Sequence, residues 1–481
     1  MKKTKNNFRV SRLLFPVILL LAFLSSVKAE NILKAYPAPK EAVLSQAFSV
    51  RVRIPGGHWQ ELPDYLIKVD RVNGTKHEQQ PSSLAYFDFS GEVEVAVTYK
   101  NGPVTAARIR PLSYRIDHNL KDRTIYFKLN KPANLSVEVN NDIFGNLHLF
   151  ANPVEEHVPL VNDTNVIYFK PGYHDIPGGK LKVPSGKTVY VAGGALVNGQ
   201  ILIKHVRDVK VQGRGMLQQL PGKGVWIGWS KNVEVSGIIA SQCLTAESEN
   251  VKISNVKAIS YWQWGDGMNV ISSNNVVFDG VFNRNSDDCT TVYGSRGEFK
   301  GGCKNVLMKN STLWADVAHP ILVGTHGSTP HPVILEDLTY ENLDILDHME
   351  KQIDYQGCLA LNAGDSNLIR NVRFENIRIE DFRLGQLVNL RVFFNKKYCT
   401  SPGRGIENVI FKDVTYNGKN ARMSIIAGYD ESKMVRNISF ENLRINGTLI
   451  SDQMPDKPRW YKTSDMADIF VGEHTDNITF K

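Results

Sequence analysis

Three aspartates stand close together in the sequence and could carry acid–base chemistry. Asp266 occupies a glycine-flanked loop, and the adjacent pair Asp287 and Asp288 follows 21 and 22 residues later. The apolar run at residues 275–281 between them has the pattern of one β-strand. If the chain climbs as a parallel coil with about 20–30 residues per turn, the three side chains lie on adjacent turns. Strands one turn apart are separated by about 4.8 Å, so the carboxyl groups would shift one another's pKa values.

Such a group of carboxyl side chains suits the hydrolysis of a glycosidic bond with inversion. One carboxylic acid protonates the leaving oxygen, and a carboxylate about 6.5–9.5 Å away activates water on the opposite face of the sugar. Unequal pKa values let one acid stay protonated while its neighbour stays ionised. Each aspartate taken alone is better explained as a turn residue. The combination inside a secreted coil predicts Asp266, Asp287 and Asp288 as the catalytic residues.

Aromatic, histidine and loop side chains near the three aspartates are candidates for binding substrate. They could stack on a sugar ring or hydrogen-bond its hydroxyls, and they are Trp262, Trp264, Trp314, His319, His326, Lys351 and Tyr355. The alternation of Trp262 and Trp264 places one of the two rings outward. His319 and His326 either orient a catalytic aspartate or contact sugar.

The elements that must position these residues form a degenerate repeat. The phrase Asn-apolar-x-apolar begins at Asn232, Asn250, Asn275, Asn305, Asn371, Asn408, Asn437 and Asn477. A run without the leading Asn, residues 333–338, fills the largest gap. Short strands separated by tight Asn, Gly or Asp turns predict a right-handed parallel β-helix, because Asn tolerates the left-handed backbone of such turns. Stacked Asn amides can also hydrogen-bond along the coil.

The chain before this repeat contains short alternating strands separated by Gly, Pro and Asn turns. It predicts a small antiparallel β-sandwich that packs against the catalytic domain or helps to hold substrate. Asp64, Asp70 and His77 are interpreted as surface or turn residues. The predicted all-β organisation is a signal peptide at residues 1–29, a β-sandwich domain at 30–160 and a β-helix catalytic domain at 161–481.

The first 29 residues have the composition of a cleavable signal peptide. A basic segment precedes the apolar residues 13–24, and small residues stand at the cleavage positions around Ala29. The alternative interpretation is a membrane anchor. Cleavage predicts a secreted or periplasmic protein with no membrane span. The leader carries six basic residues and no acidic one, so its removal lowers the formal net charge from +8 to +2. This near-neutral charge gives no reason to expect nucleic acid as a partner.

The cysteines do not indicate a metal site. The five are Cys243, Cys289, Cys303, Cys358 and Cys399, and they include no CxxC pair. The sequence also shows no cofactor motif. A Cys289–Cys303 disulfide and a set of buried free thiols are both open interpretations.

The chain resembles the pectin-lyase-fold glycoside hydrolases, a clan that joins the polygalacturonases of family 28 with the dextranases and isopullulanase of family 49. The resemblance rests on the segment at 166–172, on Asp266-Gly267, on the pair Asp287-Asp288 and on the segment at 305–320. It implies that Asp287 is the general acid. It implies that Asp266 and Asp288 hold the attacking water, with inversion at the anomeric carbon.

The substrate is not determined by this resemblance. The Arg-Ile-Lys motif with which polygalacturonases bind a uronate carboxylate is missing, and Leu390-Arg391-Val392 stands as a poor substitute. This absence and the near-neutral mature charge favour a neutral α-linked polysaccharide such as a dextran-like glucan. The alternatives are a polygalacturonase-like pectin hydrolase, a polysaccharide lyase, and a non-catalytic glycan-binding β-helix.

Overall fold

A computed structural model describes Met1, residues 31–355 and residues 357–481. The predicted signal peptide, apart from Met1, lies outside the described residues. Within the described part of the chain, no helix is both long enough and apolar enough to cross a membrane.

The N-terminal region is a sandwich of two sheets. Its strands are β1 Ile32–Ala35, β2 Phe48–Arg53, β3 Gln60–Leu62, β4 Tyr65–Asn73, β5 Lys76–Ser90, β6 Val93–Tyr99, β7 Ala107–Arg110, β8 His118–Lys121, β9 Thr124–Leu129, β10 Ala133–Val139 and β11 Asp142–Pro153, with a 3₁₀ turn at Leu112–Tyr114. One sheet has the order β1-β5-β11-β10-β7 with β4 also on β5, and the other has the order β3-β2-β6-β9-β8. Apolar side chains from alternate positions of both sheets fill one core between them.

This region confirms the predicted β-sandwich, with one difference. The pair β5 and β11 runs parallel, whereas the other sandwich pairs are antiparallel. The predicted domain boundary at residue 160 falls in the connection between Pro153 and Val166, and it stays a prediction.

The remaining strands form a coil whose turns stack in parallel. The first half contains β12 Val166–Phe169, β13 Gly172–Lys182, β14 Thr188–Val191, β15 Ala195–Lys204, β16 Arg207–Gly213, β17 Met216–Leu217, β18 Gly224–Gly228, β19 Lys231–Ser236, β20 Ile239–Ala240, β21 Cys243–Ala246, β22 Glu249–Ser254, β23 Lys257–Ile259, β24 Met268–Ile271, β25 Asn274–Asp279 and β26 Phe282–Asn285. The second half contains β27 Thr290–Tyr293, β28 Cys303–Lys309, β29 Thr312–Ala315, β30 Ile321–Gly324, β31 Ile334–Asp347, β32 Gly357–Ala363, β33 Leu368–Glu380, β34 Gly385–Val392, β35 Gly405–Asn417, β36 Ala421–Arg422, β37 Ser424–Ala427, β38 Val435–Glu441, β39 Leu443–Ile445, β40 Thr448–Ile450, β41 Ile469–Val471 and β42 Thr475–Phe480. A 3₁₀ turn at Ile353–Tyr355 and a short α-helix at Thr463–Met466 interrupt the strands.

The coil confirms the predicted right-handed parallel β-helix. Strands one turn apart pair in parallel and in register, and the antiparallel pair β39–β40 near the C-terminus is the exception. The interior is a continuous apolar column. Near its C-terminal end, the rings of Phe374, Phe411, Phe440 and Phe480 stack with centroids 4.8 Å apart. This spacing equals the usual distance between strands, so each turn places its ring directly over the last.

The recurring asparagines form a ladder along the outside of the coil. The Asn250 amide donates to Asn232 at 3.1 Å, Asn275 donates to Asn250 at 3.0 Å, and Asn305 donates to Asn275 at 3.0 Å. All eight predicted positions have φ between +54° and +61°, as expected for Asn in a left-handed turn. In the gap of the repeat, Asp337 takes the ladder position, with φ +57°.

Replacing Asn275 with Ala should lower the free energy of unfolding by roughly 2 kcal/mol, because the change removes two amide hydrogen bonds and puts Ala in the left-handed region. Urea titration of Asn275→Ala beside wild type measures the loss. Asn275→Gly is the matched control, since glycine adopts this φ without strain. Asn275→Gly should therefore lose less stability than Asn275→Ala. An equal or greater loss in Asn275→Gly would contradict the part of this explanation that concerns the backbone.

A fully buried arginine joins the sandwich to the coil. Arg284 in β26 donates to Asp316 within the coil at 2.9 and 3.0 Å. Across the interface it donates to the Asn146 side chain at 2.9 Å and to the Ile143 carbonyl at 2.8 Å. Its guanidinium also lies over the Trp314 ring, 3.9 Å from the centroid. The interface therefore holds β26, the strand that leads into the loop with the paired aspartates.

Candidate active site

Asp266 and Asp288 lie on adjacent turns and at the same position relative to the strand that follows each. Asp266 precedes β24 by two residues and Asp288 precedes β27 by two, and these strands pair in register. The Gly267 N–H donates to the Asp288 carbonyl at 2.9 Å. His319 has the same position before β30, which pairs with β27. Asp266, Asp288 and His319 therefore form one column across three turns.

Asp288 is buried and accepts hydrogen bonds on both carboxylate oxygens. One oxygen accepts from Nδ1 of His319 at 2.7 Å and from the His319 backbone N–H at 3.1 Å. The other accepts from the Tyr293 hydroxyl at 3.1 Å. The second ring nitrogen of His319 contacts the Tyr355 carbonyl, which can only accept. Both ring nitrogens of His319 therefore act as donors, and an imidazolium faces an ionised Asp288.

The pKa of His319 agrees with this pairing. Burial alone lowers the pKa of the imidazole, but the charge of Asp288 and the hydrogen bond to it outweigh burial, so the pKa is raised. His319 thus orients Asp288 and balances its charge.

The other two aspartates are only partly buried, and their protonated forms are favoured. Burial and then the charge of Asp288 raise the pKa of Asp266 to about 7, although a 2.7 Å hydrogen bond from Asn269 acts in the opposite direction. Burial, then the charges of Asp266 and Asp288, raise the pKa of Asp287 well above its usual range. The environment therefore favours the protonated form of Asp287 beside the hydrogen-bonded carboxylate of Asp288. This division of roles is the one that acid–base catalysis requires.

The three aspartates line one cavity of about 360 Å³ on the outer wall of the coil. Among the predicted substrate-binding residues, Trp264, His326 and Tyr355 also line it. Trp264 is 74% exposed, so its ring is open to a ligand. Burial and the charge of Arg296 lower the pKa of His326 to about 4, so this imidazole is neutral at pH 7.

Three predicted substrate-binding residues lie elsewhere. Trp314 is fully buried, and both Arg284 and Arg110 lie over its ring, so the prediction that it stacks on sugar is wrong. Trp262 packs edge-on against Tyr261 and is not part of the cavity wall. Lys351 is also outside the cavity wall, and its ammonium donates to the Gly74 carbonyl at 2.8 Å.

Other residues of the cavity wall were not predicted from the sequence as site residues. They include His77, Tyr293, Arg296, Glu350, Gln352 and Tyr398. Tyr293 stands five residues after Asp288 at the end of β27, and strand alternation alone does not distinguish it from the other residues of that strand. Asp64 and Asp70, interpreted as surface or turn residues, are buried in the sandwich. All five cysteines are buried free thiols, so the Cys289–Cys303 disulfide does not form.

The raised pKa of Asp266 predicts a pH dependence of stability. Between its ordinary value of 3.8 and about 7, the folded state keeps a proton that the unfolded state has released. Stability therefore falls as pH rises through this window, by an amount on the order of a few kcal/mol. Urea titrations from pH 4 to pH 8 should show a smaller fall in Asp266→Asn than in wild type. Parallel curves for the two proteins would contradict the prediction.

Comparison with known sequences identifies the family. Residues 188–458 match the glycosyl hydrolases family 28, more than half of the chain. The chain belongs to glycosyl hydrolases family 28. The matched region contains Asp266, Asp287, Asp288 and His319, and the resemblance to this clan is confirmed.

Among curated relatives, a protein of Neosartorya fischeri described as probable endopolygalacturonase D is 23% identical over 327 residues. The match covers 66% of this chain and 64% of the fungal protein. The chain therefore aligns with less than two thirds of that relative's length.

Two solved structures are similar to this family 28 chain. Dex49A from Penicillium minioluteum superposes with a TM-score of 0.56 at 14% identity, covering 93% of this chain and 96% of Dex49A. The family 28 exopolygalacturonase of Yersinia enterocolitica has a TM-score of 0.48 at 13% identity, covering 80% of this chain and 96% of the other. At these identities, the similarity to Dex49A concerns the fold alone.

Proposed function

We propose that this protein is a secreted glycosidase that hydrolyses an α-linked polysaccharide with inversion. The observation that carries the proposal is the single cavity lined by Asp266, Asp287 and Asp288, in which the environment separates their protonation states. Secretion rests on the leader-like composition of residues 1–29.

Asp287 is the general acid in this mechanism. It donates its proton to the glycosidic oxygen as the bond from the anomeric carbon to that oxygen breaks. Water attacks the anomeric carbon from the opposite face and forms the new C–O bond. The proton that this water loses passes to the carboxylate of Asp288, which holds the water together with Asp266.

Neighbouring side chains hold the site in a defined geometry in the absence of substrate. His319 and Tyr293 hold Asp288 by hydrogen bonds of 2.7 and 3.1 Å, so its carboxylate has little freedom to rotate. Trp264 offers an exposed indole face beside the acids. Aromatic rings in such positions stack on the apolar face of a sugar, and Trp264 is assigned this role.

The polar groups of the cavity wall favour a neutral substrate. Four carboxyl side chains face the cavity, those of Asp266, Asp287, Asp288 and Glu350, against the single guanidinium of Arg296. Arg391, which stands in the sequence as a poor substitute for the uronate motif, is bound to Asp354 at 2.9 Å and is not part of the cavity wall. The cavity wall therefore lacks the basic motif that polygalacturonases direct at a uronate carboxylate, and we propose a neutral α-glucan of the dextran type.

Hydrolysis of polygalacturonate is the second candidate. Membership of family 28 favours it, and so does Arg296, whose guanidinium is available at the cavity wall for a uronate carboxylate. The two candidates share the three aspartates and differ in the groups around them.

A panel of dextran, pullulan and polygalacturonate tests both candidates. Wild type should release reducing ends from a neutral glucan, and Asp287→Asn should release none. Release from polygalacturonate alone would replace the first candidate with the second. An ultraviolet-absorbing unsaturated product would identify a lyase, and substrate binding without release of sugar would identify a glycan-binding protein. Proton NMR of the fresh product tests inversion.

A further inference from the structure

We propose that His77, which the β-sandwich contributes to the catalytic cavity, binds substrate by accepting a hydrogen bond from a sugar hydroxyl. This proposal rests on the hydrolysis proposed above. His77 lies near the tip of the β4–β5 hairpin, and its side chain forms part of the wall of the cavity that the three aspartates share. The active site is therefore built from two regions of the chain, and the coil alone does not complete it.

The hairpin is anchored to the coil at several points. The backbone N–H of Lys68 donates to the Gln219 side chain at 2.8 Å, and that side chain donates back to the Lys68 carbonyl at 2.7 Å. The Lys68 ammonium lies over the Tyr261 ring, 5.2 Å from its centroid. At the hairpin tip, the Gly74 carbonyl accepts from Lys351 at 2.8 Å. These contacts give His77 a defined place at the cavity.

The ring of His77 is oriented by a buried carboxylate. Its Nδ1 lies 2.5 Å from Oδ2 of Asp70, whose side chain is fully buried. Because the carboxylate accepts, Nδ1 carries the proton, and in the neutral imidazole Nε2 is then the acceptor. Among the described residues, Nε2 of His77 has no hydrogen-bond partner, and 32% of the side chain remains exposed. The free acceptor suits a hydroxyl donor, the most abundant polar group of any polysaccharide.

The roles already proposed for the three aspartates leave His77 a binding role rather than a catalytic one. Asp287 already supplies the proton for the leaving group, and Asp266 and Asp288 hold the water. His77 approaches from the sandwich, outside the column that Asp288 and His319 form. His77 is therefore assigned to substrate binding. Its loss weakens the binding of the ground state and of the transition state alike.

The test compares His77→Ala, His77→Gln and the control His58→Ala, an exposed histidine of the same sandwich outside the cavity wall. Each is assayed on whichever of dextran, pullulan and polygalacturonate wild type cleaves. His77→Ala should raise KM about five- to tenfold, the loss of one hydrogen bond, with kcat changed less than about twofold. His77→Gln should recover part of this loss, because its amide oxygen can accept in place of Nε2. His58→Ala should match wild type.

The outcomes separate this inference from the proposed function. Cleavage by wild type with an unchanged KM in His77→Ala would overturn the inference and leave the hydrolase assignment intact. A lower melting temperature with no recovery in His77→Gln would also overturn it, because His77 would then serve the fold alone. Failure of wild type to cleave any of the three polysaccharides would defeat both proposals.

Discussion

Replacing Asp287 with Asn should reduce hydrolysis by roughly 10²–10⁴-fold, the usual contribution of a general acid. The amide keeps the shape of the side chain but has no proton of suitable acidity for the leaving oxygen. The same change should not destabilise the protein. Burial and two neighbouring carboxylates raise the pKa of Asp287 well above its usual range, so an ionised Asp287 costs stability that Asn does not. The measurements are release of reducing ends and melting temperature, both at pH 8.

The control for this substitution is Asp456→Asn, at an exposed position in the connection near the C-terminus. It makes the same chemical change away from the cavity and should leave activity and melting temperature unchanged. Activity in Asp287→Asn within a factor of a few of wild type would remove Asp287 from the role of acid. A large drop in its melting temperature would instead attribute the loss of activity to misfolding.

Replacing Arg284 with Met should lower the free energy of unfolding by about 3–5 kcal/mol, the usual result of removing one partner of a buried ion pair. Met fills much of the volume but leaves Asp316 charged and buried, with Arg383 at 3.9 Å as its nearest remaining cation. It also leaves the Asn146 side chain and the Ile143 carbonyl without their donor across the interface. Urea unfolding measures the loss, and activity should fall with it because β26 leads into the catalytic loop.

Two further variants identify the cause of that loss. Arg284→Met combined with Asp316→Asn should recover part of the stability, since the second change removes the unpaired charge. Arg422→Met, at an exposed arginine of the coil, should change stability by less than about 0.5 kcal/mol. If the double variant is no more stable than Arg284→Met, packing against Trp314 rather than charge explains the effect of Arg284.

The sequence was sufficient to predict the coil and the gathering of the three aspartates in one place. Recurring Asn phrases predict the parallel β-helix because a left-handed turn and an amide ladder constrain the residue type at one position of every turn. The interval from Asp266 to Asp288 equals one turn of that coil, so the repeat itself places the two on adjacent turns. These are local properties of the chain, and they do not depend on which distant segments come into contact.

Tertiary contacts decided the surroundings of the aspartates, because burial and hydrogen-bond partners come from segments far apart in the chain. Trp314 has the sequence context of a sugar-stacking residue, yet Arg110 and Arg284 cover its ring. His77 precedes Asp266 by 189 residues, and only the docking of the sandwich on the coil brings its ring to the cavity. The sequence by itself therefore determined the turns of the coil and the aspartates that share a cavity, whereas the packing of the sandwich on the coil decided which other side chains line that cavity.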